Sequence, residues 1–381
     1  MSTTQDETHD LFREAFRDFV AKEMTPHFHD WEAAGVMDRE IYAKAGANGF
    51  VGFNIPESHG GGGSDDFWFN TIVNEELQYA GMGGAGNGMT LVNDILAPYF
   101  TELCTDEQQD RWLPGLASGE LISAVAMTEP GTGSDLASIA TRAVRDGDEF
   151  VVNGAKTFIT NGINADLVVT VVRTDPEAGR HGLSLLVIER GMEGFERGRN
   201  LDKIGQKSAD TAELFFADVR VPAANLLGEE GGAMGYLTQN LPQERLSLAI
   251  GGVAVAQAAL DWTVDYVKER QAFGARIADF QNTKFVLAEC ETELAVARPY
   301  IADCVARHNA GEFSAADAAK AKLWATELQG GVTDLCLELF GGYGFLTEYP
   351  ISLAYADARV ARIYGGTSEI MKTIIAKEVL S

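Results

Sequence analysis

The sequence predicts an α+β protein with three parts: an N-terminal α-helical domain, a central antiparallel β domain and a C-terminal four-helix bundle. Apolar residues recur at helical spacing before about residue 124 and again after about residue 231, whereas the chain between them consists of short β-rich runs. At 381 residues and 46% hydrophobic composition, the chain is long enough for more than one domain. We therefore divide it into residues 1–124, 125–230 and 231–381.

The N-terminal part contains three stretches with helical periodicity. These are LFREAFRDFVAKEM, FNTIVNEELQYAGM and EQQDRWLPGLASG. The run HGGGGS, from His59 to Ser64, separates the first two. It follows no strand-like run and lacks GxGxxG spacing, so we interpret it as a glycine-rich turn between helices and not as a phosphate-binding loop.

The central part contains five runs that are rich in β-branched and aromatic residues. They read EFVVNG, KTFITNG, DLVVTVVRT, GLSLLVIE and TAELFFADVRVP. The pairs Asp146–Gly147 and Asn153–Gly154 border these runs, and such pairs are typical of hairpin turns. Because ELFFADVRV alternates, we predict an antiparallel sheet or barrel, and no Rossmann-type dinucleotide fold.

The C-terminal part returns to helical periodicity over residues 242–270, 281–309, 314–340 and 367–379, which predicts a bundle. The first of these helices would be about 43 Å long at 1.5 Å per residue. That exceeds what a small domain needs, so we expect the far end of this helix to serve another subunit.

Composition and charge exclude several classes of protein. Fifty-six acidic and 30 basic side chains give a formal net charge of −26, which repels nucleic acids and anionic membranes. The longest apolar runs fall short of the roughly 18 residues of a membrane span, and the acidic N-terminus is unlike a targeting peptide, so we expect a cytoplasmic protein. The four cysteines are scattered without a CxxC pair, so neither a metal site nor a disulfide is expected.

One carboxylate, Glu244 in NLPQERLSLAIGG, stands on an otherwise apolar helix face. Its predicted apolar neighbours are Leu241, Leu246, Leu248 and Ile250. Burial among them would raise the pKa of Glu244, which suits a general base. We interpret Glu244 as the catalytic base.

Two further segments are too rich in glycine and hydroxyl groups to be core. AMTEPGTGSD, from Ala126 to Asp135, reads as a strand followed by a turn at which the chain can approach a flat ligand. RIYGGTSEIMK places a tyrosine before two glycines, a hydroxyl and a carboxylate. Together with Glu244, these segments indicate a flavin site for thioester chemistry.

In this order, the segments resemble those of the flavin-dependent acyl-CoA dehydrogenases, and the resemblance extends over nearly the whole chain, including KIGQKSADTAELFFADVRVP. The chain is most similar to the long-chain members, which carry the base on the long helix. Most other members carry the base at the position of Gly365. The resemblance implies FAD as cofactor, an acyl-CoA as substrate, electron-transfer flavoprotein as electron acceptor and a homo-oligomer, either a dimer or a dimer of dimers (homotetramer).

The resemblance also implies a flavin wall built from two segments. Met127 and Thr128 would meet the pyrimidine part of the ring, and Ser134 would lie near the pyrophosphate or the pantetheine arm of the substrate. Phe158 would stack on the ring, and Thr160 would hydrogen-bond near its reactive nitrogen. Many members have tryptophan at the position of Phe158, and phenylalanine keeps the aromatic face.

A second set of residues is implied to reach the adenosine and pyrophosphate half of a flavin held mainly by a neighbouring subunit. Its members are Arg270, Phe273, Gln281, Glu338, Gly341 and Gly342. Thr367 and Glu369 are assigned to the cofactor as well. Glu338 stands where glutamine is common in the family.

The reaction that the resemblance implies removes an α proton and a β hydride from the acyl thioester and gives a trans-2-enoyl product. Glu244 would take the proton, and the backbone N–H of Gly365 would polarise the thioester carbonyl together with a ribityl hydroxyl. Arg245 would steer the loop or the thioester, and Tyr364 would border the acyl pocket. We predict a long or medium straight acyl chain, with branched or terpenoid groups as alternatives.

Two other functions stay open at this point. An acyl-CoA oxidase would share the fold and the base but pass its electrons to oxygen. A non-enzymatic flavin or acyl-CoA binding module would keep the cradle and lose the base, so the presence of Glu244 disfavours it.

Overall fold

The computed structural model describes residues 5–381, in which helices, then a sheet, then helices follow one another along the chain. The N-terminal helices are α1 (Glu7–Phe19), α2 (Phe28–Ala34), α3 (Glu40–Ala47), α4 (Phe67–Tyr79), α5 (Gly83–Thr90), α6 (Ala97–Leu103) and α7 (Asp106–Ala117). The three predicted helical stretches correspond to α1, α4 and α7. The HGGGGS run is a turn before α4. A Cβ on Gly61 would lie 2.1 Å from the carbonyl oxygen of Ile55, so the turn requires glycine there.

A mostly antiparallel sheet forms the centre of the molecule. Its strands are β1 (Ser123–Ala126), β2 (Arg142–Asp146), β3 (Glu149–Thr160), β4 (Leu167–Arg173), β5 (Leu183–Glu189), β6 (Phe195–Asn200), β7 (Thr211–Pro222) and β8 (Leu226–Leu227). They are ordered β6-β7-β3-β2-β4-β5-β8, and β1 pairs with β4. The predicted antiparallel sheet is confirmed as mostly antiparallel, with two parallel pairings that the sequence did not reveal, of β1 and of β2 with β4. The long chain between β1 and β4 allows the crossover that a parallel pair needs.

Two runs predicted as separate strands, EFVVNG and KTFITNG, form the single strand β3. Asn153–Gly154 is therefore not a hairpin turn. It lies where the register between β3 and β7 shifts, and a Cβ on Gly154 would approach the Oγ1 of Thr141 to 2.5 Å. Only Asp146–Gly147 lies at a hairpin, between β2 and β3, where Gly147 has a φ of 65°.

Strands β4 and β5 are buried on both faces. Leu167 and Val169 pack towards the N-terminal helices, in one cluster with Trp112. Val168 and Val172 point to the other face, which β3 and β7 help to cover. Burial on both faces explains why the two strands read as continuous apolar runs without alternation.

The C-terminal part contains five helices and a short hairpin. These are α8 (Ala233–Glu269), α9 (Gln281–Asn309), α10 (Ala315–Phe340), α11 (Pro350–Ala361) and α12 (Ser368–Val379), with β9 (Gln271–Ala272) and β10 (Ala275–Arg276). The four-helix prediction missed α11. The buried stripe of α11 consists of one isoleucine and three alanines, which is a weak apolar signal.

Helix α8 begins at Ala233, before the predicted start at 242, and continues through Pro242. Ala233 and Leu237 are buried against the sheet and the N-terminal helices, and this tertiary packing keeps the extra turns helical. With 37 residues, α8 is about 55 Å long.

Helix α8 is also the central core helix. It packs on α4 and α10, and a Cβ on Gly252 would lie 3.1 Å from the carbonyl oxygen of Ala325 in α10. Among the described residues, only this helix is long and apolar enough to cross a membrane, yet 72% of its apolar window is buried inside the protein.

Candidate active site

The Glu244 carboxyl is buried on α8, with only 5% of the residue exposed. The Tyr99 hydroxyl, from α6, donates a hydrogen bond to Oε1 of Glu244 at 3.1 Å. Burial raises the pKa of Glu244 to about 7, against the opposing effects of the Tyr99 hydrogen bond and the charge of Arg245. A carboxyl group with such a pKa suits proton abstraction near neutral pH.

The loop between α11 and α12 lies against this part of α8. Gly365 and Gly366 have φ angles of 62° and 98°, which favour glycine. A Cβ on Gly365 would lie 2.4 Å from the Cδ1 of Leu248, one turn beyond Glu244. The loop and the carboxyl of Glu244 therefore adjoin the same segment of α8.

Two cationic side chains hold the loop. The Nε of Arg245 donates to the carbonyl oxygen of Gly365 at 3.2 Å, and the Nζ of Lys322, from α10, donates to that of Gly366 at 2.6 Å. Lys322 is fully buried, and burial lowers its pKa to about 8, with the charge of Arg245 adding to the effect. Consecutive peptide groups of the loop are thus fixed in orientation.

The ends of β1 and β3 lie side by side, as the flavin-wall prediction requires. The N–H of Thr157 donates to the carbonyl oxygen of Thr128 at 2.9 Å, and the Nζ of Lys156 donates to that of Met127 at 3.0 Å. Lys156 also forms a buried ion pair with Glu129 at 2.9 Å. These bonds lock the segments that carry Met127 and Thr128 on the one side and Phe158 on the other.

Phe158 has a φ of 61°, an unfavourable conformation for an aromatic residue, at the place where the register of β3 shifts. Its side chain is 67% exposed. A strained backbone that holds an aromatic ring outside the core is typical of a ligand site. Thr160 ends the same strand and is half-buried, whereas Ser134 is exposed in the loop after β1.

A cavity of about 640 Å³ lies at the far end of α8, where that helix meets α9 and α10. It is lined by Arg270, Phe273, Glu338, Gly341 and Gly342 from the second predicted set. Phe273 is 99% exposed, and the guanidinium of Arg270 lies 5.2 Å from the ring centroid of Tyr343. Gln281 is exposed at the start of α9, beside the lining residue Asn282.

The second predicted set of cofactor residues lies far from Glu244 within one chain. Glu244 and the end of α8 at Glu269 are 25 residues apart, which corresponds to about 38 Å along the helix axis. Glu244 and the set around Arg270 are therefore far apart on this chain.

Thr367 and Glu369 begin helix α12. Thr367 is its N-cap, and the Oγ1 of Thr367 accepts the N–H of Ile370 at 3.4 Å. Glu369 is exposed in the first turn, where a backbone hydrogen bond lowers its pKa. Both residues follow the loop directly and have a local structural function at the helix terminus.

Sequence reasoning missed Tyr99 and Lys322. Tyr99 lies in the amphipathic segment APYFTEL, where nothing distinguishes it from an ordinary core tyrosine. Lys322 could have been found from the sequence. Ala318, four residues before it, and Ala325, three residues after it, belong to the buried face of the same helix. A lysine on that face requires a buried partner.

Comparison with known proteins identifies the family. Profiles of the acyl-CoA dehydrogenase N-terminal, middle and C-terminal domains match residues 6–120, 124–219 and 231–380. The mitochondrial long-chain specific acyl-CoA dehydrogenase of Sus scrofa is 46% identical over 374 residues, which cover 98% of this chain and 86% of that protein.

Solved structures agree. The acyl-CoA dehydrogenase from Geobacillus kaustophilus superposes with a TM-score of 0.96 at 47% identity and covers 100% of both chains. A glutaryl-CoA dehydrogenase from Mycobacterium smegmatis, solved in complex with FADH2, superposes with a TM-score of 0.91 at 25% identity over 98% of this chain and 95% of that chain.

The chain belongs to the acyl-CoA dehydrogenase family, whose members are flavoprotein oxidoreductases of fatty acid metabolism. It is accordingly an enzyme, and the binding-module alternative is set aside. The predicted resemblance and the predicted three-part fold are both confirmed.

Proposed function

We propose that the protein catalyses the FAD-dependent α,β-dehydrogenation of a saturated acyl-CoA to a trans-2-enoyl-CoA, with Glu244 as the base. The observation that carries this proposal is the buried carboxyl of Glu244, whose pKa is raised to about 7, beside the glycine loop that packs on Leu248. In this reaction the substrate loses its α proton to Glu244 and its β hydrogen as hydride, and a double bond forms between the two carbons.

The residues around Glu244 each have a role in proton abstraction. Glu244 acts as the carboxylate, which the Tyr99 hydroxyl stabilises through Oε1, so Oε2 is left to accept the proton. The N–H of Gly365 donates to the thioester carbonyl and makes the α proton more acidic. A donor of this kind is typically worth about 3 to 4 kcal/mol. Arg245 and Lys322 hold the loop that carries this donor.

The predicted flavin wall has a shape that suits a flat aromatic cofactor. Met127 and Thr128 are held next to β3, and the exposed ring of Phe158 projects from the same place in a strained conformation. These residues, with Thr160, would hold the isoalloxazine ring of FAD, and Ser134 would lie towards the pyrophosphate or the pantetheine arm. Bound there, FAD supplies the hydride acceptor.

The second set would bind the distal half of a cofactor that belongs to a neighbouring subunit. The separation of about 38 Å along α8 supports this arrangement, since the cavity around Arg270 is too far from Glu244 to serve the same site. We therefore propose a homo-oligomer, a dimer or a dimer of dimers, in which Arg270, Glu338 and Gly342 face the FAD of the adjacent subunit.

The electron acceptor and the acyl chain are proposed from family resemblance. We propose electron-transfer flavoprotein as the electron acceptor. We propose a long or medium straight chain as the acyl group of the substrate. An acyl-CoA oxidase remains the alternative for the acceptor. Oxygen consumption during turnover, with and without an artificial electron acceptor, separates the two.

The experiment that tests the proposal is an anaerobic titration of the FAD-loaded protein with saturated acyl-CoAs of graded length. We expect at least one of them to bleach the oxidised flavin band. Glu244→Gln should retain FAD and thermal stability but lose the bleaching, because the amide is not a base. Glu107→Gln, which changes an exposed carboxylate on α7, serves as the matched control. Bleaching of the Glu244→Gln protein at the wild-type rate would exclude Glu244 as the base.

A further inference from the structure

A buried carboxyl that the proposed chemistry does not use, that of Asp94, lies next to the segment of α8 that carries Glu244. Asp94 is 1% exposed and belongs to a π-helical segment, Leu91–Leu96, that runs directly into α6. Its Oδ2 accepts the hydroxyl of Ser247, three residues past Glu244, and its Oδ1 accepts the Nδ2 of Asn70, from α4, at 2.7 Å. This carboxyl group therefore joins α4 and α8 to the segment that precedes α6.

The backbone of Asp94 is fixed to the same part of α8. The Nε2 of Gln243, the residue before Glu244, donates to the carbonyl oxygen of Asp94 at 2.6 Å. Pro98, in the first turn of α6, has no N–H to offer this carbonyl group, which lies four residues before it. Two side chains of α8, one on each side of Glu244 in the sequence, thus hold Asp94.

Tyr99 follows Asp94 by five residues and contacts α8 as well. Its hydroxyl donates to Oε1 of Glu244 at 3.1 Å. The segment from Asp94 to Tyr99 therefore meets α8 both at Ser247 and at Glu244. A shift of this segment along α8 would lengthen or bend the Tyr99 hydrogen bond, and hydrogen bonds weaken as their geometry worsens.

Building on the proposed dehydrogenase function, we propose that Asp94 is a positioning residue, which fixes α6 against α8 so that the Tyr99 hydroxyl meets the Glu244 carboxylate. Loss of the Asp94 carboxyl would leave two buried donors without their acceptor, so the contact between the helices is costly to break. A π-helical segment is also common at functional sites.

The groups around the two carboxyls differ in charge. The titratable and charged groups that face Glu244 are Tyr99 from α6 and Arg245 from α8, whereas the groups that bind the Asp94 carboxyl, Ser247 and Asn70, are uncharged. Asp94 therefore acts on Glu244 through the placement of Tyr99.

The test follows the titration of Glu244 itself in the FAD-loaded protein, without substrate. Burial raises the pKa of Asp94 to about 7, against the Ser247 and Asn70 hydrogen bonds, so the two carboxyls titrate in one range and must be told apart. Protein made with 13C-carboxyl-labelled glutamate separates their infrared bands, and the band that is lost in Glu244→Gln is that of Glu244. The measured quantity is the pH midpoint of this band.

We expect Asp94→Ala to raise the midpoint of Glu244 by about half a pH unit or more, because the Tyr99 hydrogen bond to the carboxylate is weakened. A direct electrostatic effect would have the opposite sign, since removal of a negative charge favours the ionisation of Glu244 and lowers its midpoint. In Tyr99→Phe, which already lacks the hydrogen bond, Asp94→Ala should add almost no shift.

Two further variants complete the test. Ser247→Ala removes the contact between Asp94 and α8 by a smaller change and should also raise the midpoint, which keeps the proposal testable if Asp94→Ala does not fold. Glu76→Ala is the matched control, because Glu76 is a carboxyl of α4 with 3% exposure that pairs with Arg13 and Arg17 of α1. It should leave the midpoint in place.

An unchanged or lowered midpoint in Asp94→Ala and Ser247→Ala would overturn the inference. A shift that adds in full to that of Tyr99→Phe, or an equal shift in Glu76→Ala, would overturn it too. Because no substrate is present, the midpoint tests the inference even where no thioester bleaches the flavin, an outcome that would contradict only the dehydrogenase proposal.

Discussion

At the scale of single residues, Glu244 must remain ionisable although it is buried. Burial alone would keep its carboxyl group protonated, and the Tyr99 hydrogen bond and the charge of Arg245 counteract this. The result is a pKa of about 7, at which a useful fraction is carboxylate at neutral pH and the base is still strong. The base strength of Glu244 is therefore set by neighbours from α6 and α8 together.

This balance predicts a pH dependence. Since the carboxylate is the active form, the rate of flavin reduction should rise with pH through about 7. Tyr99→Phe removes a hydrogen bond to the charged form, so the pKa of Glu244 should rise and the midpoint should move to higher pH by about one unit. Stopped-flow reduction measured across pH checks this.

The control for this pH profile is Tyr355→Phe, which alters an exposed tyrosine of α11 and should leave the midpoint in place. The plateau rate of Tyr99→Phe at high pH should approach that of the wild type, because the base is intact once ionised. A midpoint that stays fixed or moves to lower pH would show that Tyr99 does not tune Glu244.

At the scale of elements, the proposed function depends on how α8, α10 and the glycine loop meet. Arg245 and Lys322 come from two different helices and bind consecutive carbonyls of the loop. Lys322 loses its hydration to do so, which is consistent with its lowered pKa. The loop thus depends on the bundle for its conformation, and the bundle in turn encloses the Lys322 ammonium, whose hydrogen bond within residues 5–381 is to this loop.

We expect Lys322→Met to lower the rate of flavin reduction by about tenfold or more, because the carbonyl of Gly366 loses its partner and the loop becomes less well oriented. FAD content should stay at the wild-type level, since the substitution does not alter the flavin wall. Lys320→Met, on the exposed side of the same helix, should cost little. Stopped-flow reduction and FAD absorbance measure the two quantities.

Loss of FAD from Lys322→Met, or an equal loss of rate in both lysine variants, would argue against a positioning role for Lys322. Lys322→Arg provides a further comparison, since it retains the charge. It should recover part of the rate if a donor to the loop is what matters.

At the scale of the whole molecule, the length of α8 separates Glu244 from the second set of predicted cofactor residues. Glu244 lies about 38 Å along the helix axis from the end of α8 that carries Arg270 and the cavity of about 640 Å³. In the proposed homo-oligomer a second copy would complete the cofactor site, as in symmetric oligomers in which each interface forms equivalent sites.

Mixed oligomers test this arrangement. Glu244→Gln should lack the base, and Arg270→Glu should bind FAD weakly, since it places a carboxylate near a pyrophosphate. Co-expression of the two variants with different tags should restore about a quarter of the wild-type activity on random assembly of dimers, since one site in each mixed dimer is intact.

Oligomers reassembled from either variant alone are the controls and should stay inactive. Activity that fails to return in the purified mixed species would place Glu244 and Arg270 of one chain in the same site, or would place Arg270 outside any FAD site.

The amino-acid sequence by itself determined the order of the three parts, the buried carboxyl of Glu244 and the glycine loop. Helical and strand periodicities are local properties of the chain, so α1, α4 and α7 and the long buried strands were predictable. Glu244 was recognisable because a carboxylate on an apolar helix face contradicts its surroundings, and Gly365 because consecutive glycines indicate unusual backbone angles.

The remaining features of the fold and of the candidate site were decided only by the tertiary structure. They depend on contacts between residues that are distant in sequence. Continuation of α8 through Pro242, the alanine-rich α11 and the parallel partners of β4 all follow from packing against other elements. Likewise, no local pattern shows that Tyr99 would bind Glu244, or that Lys322 of α10 would bind the carbonyl oxygen of Gly366. Burial gives these ordinary side chains their importance, since removal from water raises the cost of an unmet charge or hydrogen bond.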